Sequence, residues 1–155
     1  MICIEIPGRK PLSISHIILD YNGTIAVDGV LIEGVKERLL QLKEKVSVHV
    51  LTADTYGSVT RQCEALEIHV RTFPREGAAV FKKEIVNSLS GEKVCVGNGL
   101  NDIEMFDVSD LSVAVVNGEG MCAKLLAHAD VFAVSIQDAL DLFLKPDRLR
   151  ATLRS

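Results

Sequence analysis

The chain has 155 residues and a net charge of -4, with 48% hydrophobic and 25% charged residues. A chain of about this size buries roughly 68–70% of its unfolded surface, so it suits one domain with its own core. The acidic balance argues against a general binder of nucleic acid or membrane surfaces, and no run approaches the ~18 apolar residues of a membrane span. The start lacks a long apolar stretch behind basic residues, so no signal peptide is expected and a soluble, cytoplasmic protein is. Cys3, Cys63, Cys95 and Cys122 show no metal-ligand spacing. Cys95 lies in an apolar strand run and Cys63 on a helix stripe, so buried reduced thiols are expected. Arg148, Arg150 and Arg154 cluster near the end and read as a solvated face or a subunit contact.

Met1 to Pro7 alternates through Ile2, Ile4 and Ile6 and predicts a strand; Gly8 to Pro11 is a turn. Leu12 to Ser15 reads as the return arm of a hairpin ahead of a core strand from His16 to Asp20. That strand runs Ile17-Ile18-Leu19 straight into an acid, and Tyr21-Asn22-Gly23-Thr24 then forms a tight turn. Gly23 to Val30 is a loop or small hairpin with Asp28-Gly29 at its tip. Val35, Leu39 and Leu42 fall at helical spacing within 33–45. Val46 to Leu51 is a second strand, ending at Thr52; His49 within it reads as a packed residue. Asp54 is placed to cap a helix whose inward stripe is Tyr56, Val59, Cys63 and Leu66. Ile68 to Phe73 is a short strand, and 76–89 a helix closed by Ser90-Gly91. Strands follow at 93–96, 111–116 and 131–134, with short helices at 101–106 and 121–127 between them. Ser135 and Asp138 resemble a capping box, and Pro146 ends the helix they open. Leu149 and Leu153, four apart, predict a further helical turn or two.

Strands alternating with helices predict a doubly wound α/β fold with a parallel sheet, helices on both faces and an N-terminal hairpin. Residues 1–155 read as a single core domain, because the longest insert is about eight residues after Thr24. In such sheets ligands sit outside the carboxyl ends of the strands, at a topological switch point. Asp20, Thr52 and Asn98 all fall at strand ends. Asp20 there is either a turn cap or a nucleophile and metal ligand. Thr52 alone reads as a strand-end hydroxyl, and Asp102 alone as the cap of the helix it opens. Lys82 lies three, four and seven residues before Ile85, Val86 and Leu89, on the inward stripe of its helix. Taken alone, such a lysine more often snorkels outward than meets a buried acid. Lys83 points about a third of the way round and reads as surface.

Together, Asp20-Tyr21-Asn22-Gly23-Thr24, Thr52, Lys82 and Gly97-Asn98-Gly99-Leu100-Asn101-Asp102 resemble the four ordered motifs of the haloacid dehalogenase superfamily of phosphotransferases. The likeness runs from the first core strand to the last helix, and is greatest to the phosphorylation domain of P-type ATPases. It points to the small, soluble, capless P-type-ATPase-like members. The resemblance implies that Asp20 attacks a phosphoryl group and forms an aspartyl-phosphate. It implies that Gly23, Thr52, Ala53 and Lys82 bind the phosphoryl oxygens with Asp20, and that Mg²⁺ is held by Asp20, the Asn22 carbonyl, Asn98 and Asp102. These roles agree with phosphoryl transfer as positioning plus charge neutralisation.

Two departures stand out. Most hydrolases of that family carry an acid where this chain has Asn22, and an amide cannot relay a proton. P-type ATPases also lack that acid, which goes with a longer-lived phosphoenzyme. Asn98 replaces a metal-binding Asp, so weaker Mg²⁺ binding is expected. The expected function is therefore a Mg²⁺-dependent phosphatase or phosphotransferase with slow dephosphorylation, acting on a phosphorylated small molecule or phosphoprotein. The alternative is a regulatory protein of the same fold that binds phosphate or Mg²⁺ but turns over little. A partner role in ion transport rests on the P-type likeness alone. No nucleic acid or membrane insertion is expected, and homo-oligomerisation is plausible for a capless core.

Overall fold

Ile17, Ile18 and Leu19 lie within one nine-residue strand, β2 (Leu12–Asp20), and all three are excluded from solvent. Alternate side chains of a strand point to opposite faces, so a run apolar at every position must be covered on both. Ile17 and Leu19 join one core with the helices α1 (Val35–Lys43), α2 (Ser58–Glu64) and α5 (Ile136–Leu144). Ile18 joins another, beneath α3 (Ala78–Ser88) and α4 (Ile103–Asp107). Each such side chain contributes about 1.5–3 kcal/mol by leaving water. The computed structural model describes residues 1–53 and 58–155. The readings of Asp54 as a cap and Tyr56 as an inward residue lie outside those described residues.

Five more strands run parallel to β2: β5 (Ser47–Thr52), β6 (His69–Thr72), β7 (Glu92–Gly97), β8 (Leu111–Val115) and β9 (Val131–Ala133). Their order is β6-β5-β2-β7-β8-β9. The chain winds outward from β2 to one edge, returns through α3 on the other face to β7, and winds to the opposite edge. The order therefore reverses between β2 and β7, and the crevice at their carboxyl ends is the switch point. The insert between β2 and α1 adds two short strands, β3 (Ala26–Val27) and β4 (Val30–Leu31), which form the expected small hairpin.

The N-terminal hairpin differs in form from the expectation. β1 (Ile2–Ile4) pairs antiparallel with Leu12 to Ile14, but those residues continue into the core strand without a break. Burial explains it: Leu12 and Ile14 pack in the same core as Ile17 and Leu19, and a register shift between Ile14 and His16 absorbs the change of partner. Pro146 ends α5 and also opens α6 (Pro146–Leu153), a position where its missing N–H costs nothing. The stretch 123–128 is a 3₁₀ helix rather than an α-helix. Cys63 and Cys95 are buried as expected, whereas Cys3 is exposed, since it faces away from the core that Ile2 and Ile4 enter. Arg148 and Arg150 pair with Asp141 and Asp147 on the surface of the last two helices.

Candidate active site

Asp20 is the last residue of β2, at the switch point, paired with Leu51 of β5 one residue past the last β2–β7 pair, Leu19 with Val96. The backbone then turns back on itself: Gly23 N–H donates to the Ala26 carbonyl at 2.8 Å, and Ala26 N–H to the Tyr21 carbonyl at 3.1 Å. Gly23 takes a φ of +78°, which side chains disfavour, and a Cβ there would strike the Asn98 amide. The Gly after Asn22 is thus required both by the turn and by the approach of the β7 loop.

Lys82 reaches this carboxylate from the second turn of α3. Its side chain is 2% exposed, and its Nζ donates to Asp20 Oδ1 at 2.7 Å, Asp102 Oδ1 at 2.6 Å and Asn101 Oδ1 at 3.0 Å. All three ammonium protons are used. The inward position predicted from helical spacing holds, and the snorkelling alternative does not: three oxygens compensate the lost hydration. Lys83, by contrast, is half-exposed and lies 3.5 Å from Glu104. Burial pushes the Lys82 ammonium down, but Asp20 and Asp102 beside it outweigh that and its pKa is raised. Burial, then the charge of Asp102, pushes the Asp20 carboxyl well above the usual carboxylate range, against the pull of Lys82 and Thr24.

Asp102 is entirely buried. Its Oδ1 meets Lys82, and its Oδ2 accepts the backbone N–H groups of Asn98 at 3.0 Å and Gly99 at 2.9 Å. Gly97 is required here, because a Cβ would run into this carboxylate. Asp102 makes no side-chain cap to the helix it opens, unlike the reading of that residue alone; it holds the loop before it and positions the lysine. Both oxygens are engaged, Oδ1 by the ammonium and Oδ2 by the backbone of its own loop.

One ammonium between two buried carboxylates leaves a net negative charge. Thr24 Oγ1 lies 3.2 Å from both Asp20 Oδ2 and Asn98 Oδ1. A hydroxyl has one proton, so one of those two oxygens receives none from it. An oxygen-only donor set with surplus negative charge fits Mg²⁺, which keeps several waters and needs few protein ligands. Among the described residues no group of three or more His, Cys, Asp or Glu is arranged to hold a metal. The set found here is one carboxylate plus amide and backbone oxygens, which fits a weak hard-cation site rather than a caged one.

Asp20, Asn22, Ala53, Lys82 and Asn98 line one cavity of about 690 Å³, with Phe73, Ala79, Leu100, Asn101, Ile103 and Glu104. Thr52, Gly23 and Asp102 do not line it. Thr52 is buried at the end of β5, and Ala53 after it is the residue that reaches the wall. Three contributors have no place in the sequence reading beyond the stretches that contain them. Thr24 bridges Asp20 and Asn98. Asn101 engages Lys82. Asn117 donates to the carbonyls of Gly23 at 3.0 Å and Thr24 at 2.7 Å, tying the loop after β8 to the Asp20 turn. Asn98 is held from the same loop, through its Nδ2 to Gly120 O at 3.0 Å and its carbonyl to Cys122 N–H at 2.8 Å. The Asn-Gly pair after a predicted strand was the available signal for Asn117.

The family model of haloacid dehalogenase-like hydrolases matches residues 83–138. A soluble P-type ATPase-like phosphatase of Methanocaldococcus jannaschii is 30% identical over 84% of this chain, and the chain spans 51% of that relative's length. A copper-transporting ATPase of Schizosaccharomyces pombe is 32% identical over 75% of the chain and 13% of its own length. Among solved structures, the 3-deoxy-D-manno-octulosonate 8-phosphate phosphatase of Moraxella catarrhalis, in complex with magnesium, phosphate and KDO, superposes with a TM-score of 0.68 at 18% identity. That superposition covers 91% of this chain and 94% of that one, and shows the shared fold. No helix of the described residues is long and apolar enough to cross a membrane. With its strand order, the Lys82-bridged pair of aspartates at the switch point and these relatives, the chain belongs to the haloacid dehalogenase-like hydrolases.

Proposed function

We propose that this protein is a Mg²⁺-dependent phosphatase or phosphotransferase that works through an aspartyl-phosphate on Asp20. The observation that carries the reading is the Asp20 carboxylate at the floor of an open cavity, with Lys82 Nζ 2.7 Å from its Oδ1. A carboxylate oxygen of Asp20 attacks phosphorus. The new O–P bond forms as the bond to the leaving oxygen breaks, and that oxygen keeps the electron pair and takes a proton from solvent. Water then attacks the phosphorus of the aspartyl-phosphate, loses a proton to solvent, and regenerates the carboxylate. Lys82 fixes the orientation of Asp20 and offsets negative charge on nucleophile and phosphoryl group. Asp102 holds Lys82 and the Asn98–Gly99 backbone. Ala53, with Thr52 beneath it, supplies backbone at the phosphoryl oxygens.

Asp20, the Asn22 carbonyl and Asn98 would hold Mg²⁺. When bound, it supplies charge neutralisation at the phosphoryl oxygens. Asn22 cannot protonate the leaving group or activate water, so dephosphorylation is slow. The remaining acid on the cavity wall, Glu104, is paired with Lys83. We read the chain as one core domain with no cap. In this reading a large substrate or a second copy would cover the cavity.

A second reading, a binding or regulatory protein of this fold, is favoured by the two amides Asn22 and Asn98 where relatives of the family hold acids. Intact mass after mixing with Mg²⁺ and acetyl phosphate decides between them, beside Asp20→Asn and an assay of released phosphate. The expected result is a persistent phosphoryl adduct on wild type alone, with slow phosphate release. Mg²⁺-dependent phosphate binding with neither adduct nor release would overturn the enzymatic reading in favour of the second.

A further inference from the structure

The Asp20 cavity has a neighbour. A second cavity of about 390 Å³ is lined by Tyr21, Asn22, Gly29, Ala53, Val59, Arg75, Ala78 and Asn101. Asn22, Ala53 and Asn101 line both cavities. Any group transferred at Asp20 therefore lies one side chain away from this second space.

The described lining of that space contains no acid and one cation, Arg75. Arg75 is exposed, and among the described residues its side chain makes no ion pair or hydrogen bond. Arg38 differs, with its guanidinium 2.8 Å from Asp141. Glu76, beside Arg75 in sequence, lines neither cavity. The chain enters α3 just after Arg75. Its N-cap is Gly77, which offers no side-chain acceptor, and its first turn contains no acid. The opening N–H groups of an eleven-residue helix thus add positive partial charge beside the same space. Asn101 adds a donor. Its Oδ1 is held by Lys82, which leaves its Nδ2 as the free end of an amide that walls both cavities.

We propose that Arg75 is a specificity residue, and that the substrate carries a second anionic group, a carboxylate or a phosphate, seated on it while its phosphoryl group meets Asp20. Arg suits this task, since its planar fork takes two oxygens of either anion at once. The inference rests on the reading of Asp20 above.

Equilibrium binding of non-hydrolysable probes in Mg²⁺ tests it. Ethylphosphonate presents the phosphoryl mimic alone. Phosphonoacetate, 3-phosphonopropionate and 4-phosphonobutyrate add a carboxylate at increasing reach, and methylene- and ethylene-bisphosphonate add a second phosphonate. At least one two-anion probe should bind wild type ten times or more tighter than ethylphosphonate. Arg75→Ala should remove that preference while leaving ethylphosphonate binding within twofold, and Arg75→Lys should keep part of it. The series that gains identifies the anion. No preference in wild type, or one that survives Arg75→Ala, overturns the proposal while leaving the Asp20 reading intact. Failure of ethylphosphonate to bind, with no adduct on Asp20, overturns both. Arg75 is exposed, so the variant should keep its fold, checked by its melting temperature.

Discussion

Two polar clusters lie on the same face of the sheet, one beside the second turn of α3 and one just past its end. At the carboxyl end of β2, Lys82, Asp20 and Asp102 form a charged cluster in which the ammonium uses every proton. Toward the amino ends of β2, β5 and β6 sits a cluster of imidazoles. His16 Nδ1 lies 3.1 Å from His49 Nε2, and the rings of His49 and His69 stack at 4.8 Å. His16 Nε2 is 2.8 Å from the Ser90 carbonyl, just past α3, so it carries the proton donated there. His16 Nδ1 is then an acceptor and His49 Nε2 its donor. His49 Nδ1 is left as a buried acceptor with no hydrogen-bond partner among the described residues. The first cluster keeps its ammonium because two carboxylates offset it, with one negative charge left over. In the second, burial, then His69, His16 and Arg71, push the His49 pKa down to about 4, so His49 stays neutral near pH 7. One cluster gathers an ammonium and two carboxylates, and the other holds His49, an imidazole that burial keeps uncharged near pH 7.

The sharpest way to break this contrast is to remove the compensation. Lys82→Met should reduce phosphorylation of Asp20 by more than about 100-fold, the scale of losing a charge-stabilising donor. At pH 8 without metal it should also cost about 3–5 kcal/mol of stability, because two buried carboxylates then face each other. The cost should shrink at pH 5, where one carboxyl takes up a proton. Urea unfolding at the two pH values reads both effects, and equal losses at both would contradict the charged description.

The imidazole cluster should respond to acid instead. His49 has a lower pKa folded than unfolded, so the unfolded chain binds more protons between about pH 6.5 and pH 4. Its contribution is complete above pH 6.5 and is lost as pH falls toward 4, by about 3 kcal/mol. In His49→Leu this titration is gone. The stability difference between wild type and variant should therefore shift by about that amount between pH 7 and pH 4, in the variant's favour as pH falls. A difference independent of pH would show that His49 does not carry the acid sensitivity.

A smaller effect sharpens the catalytic side. Asn117→Ala leaves the Gly23 and Thr24 carbonyls without their donor, at a cost of about 1–2 kcal/mol. Because the loss falls on the turn that aims Asp20, single-turnover phosphorylation should slow while the acid response of wild type persists. An unchanged phosphorylation rate would assign Asn117 to the fold alone.

Much of the site was legible before the structure. Asp20 ends an apolar run, Gly23 follows Asn22, and Asn98 and Asp102 sit four apart after another strand, so each announces itself locally. Lys82 was half legible. Its spacing from Ile85, Val86 and Leu89 placed it on the inward face, but the same spacing suits a lysine that snorkels. Thr24, Asn101 and Asn117 were not legible as contributors, since small polar residues in turns serve local hydrogen bonds far more often than distant ones. Asp102 read alone as the cap of the helix it opens; that it holds the preceding loop and Lys82 instead appears only where α3 passes over the β7 loop. Arg75 was silent, because an exposed arginine beside a proline has no pattern of its own.

The sequence alone determined the alternation of strands and helices, the strand ends where polar groups would gather, and the absence of an acid at position 22. These follow from periodicity, turn chemistry and side-chain type, which act over a few residues. Only the tertiary structure decided that Lys82 and not Lys83 meets Asp20, that both Asp102 oxygens are engaged, and that a second cavity with Arg75 in its described lining adjoins the nucleophile. Each depends on the crossing of α3 over the switch point, which brings together groups 20 to 62 residues apart. A helical period selects a face, and the fold selects what that face meets.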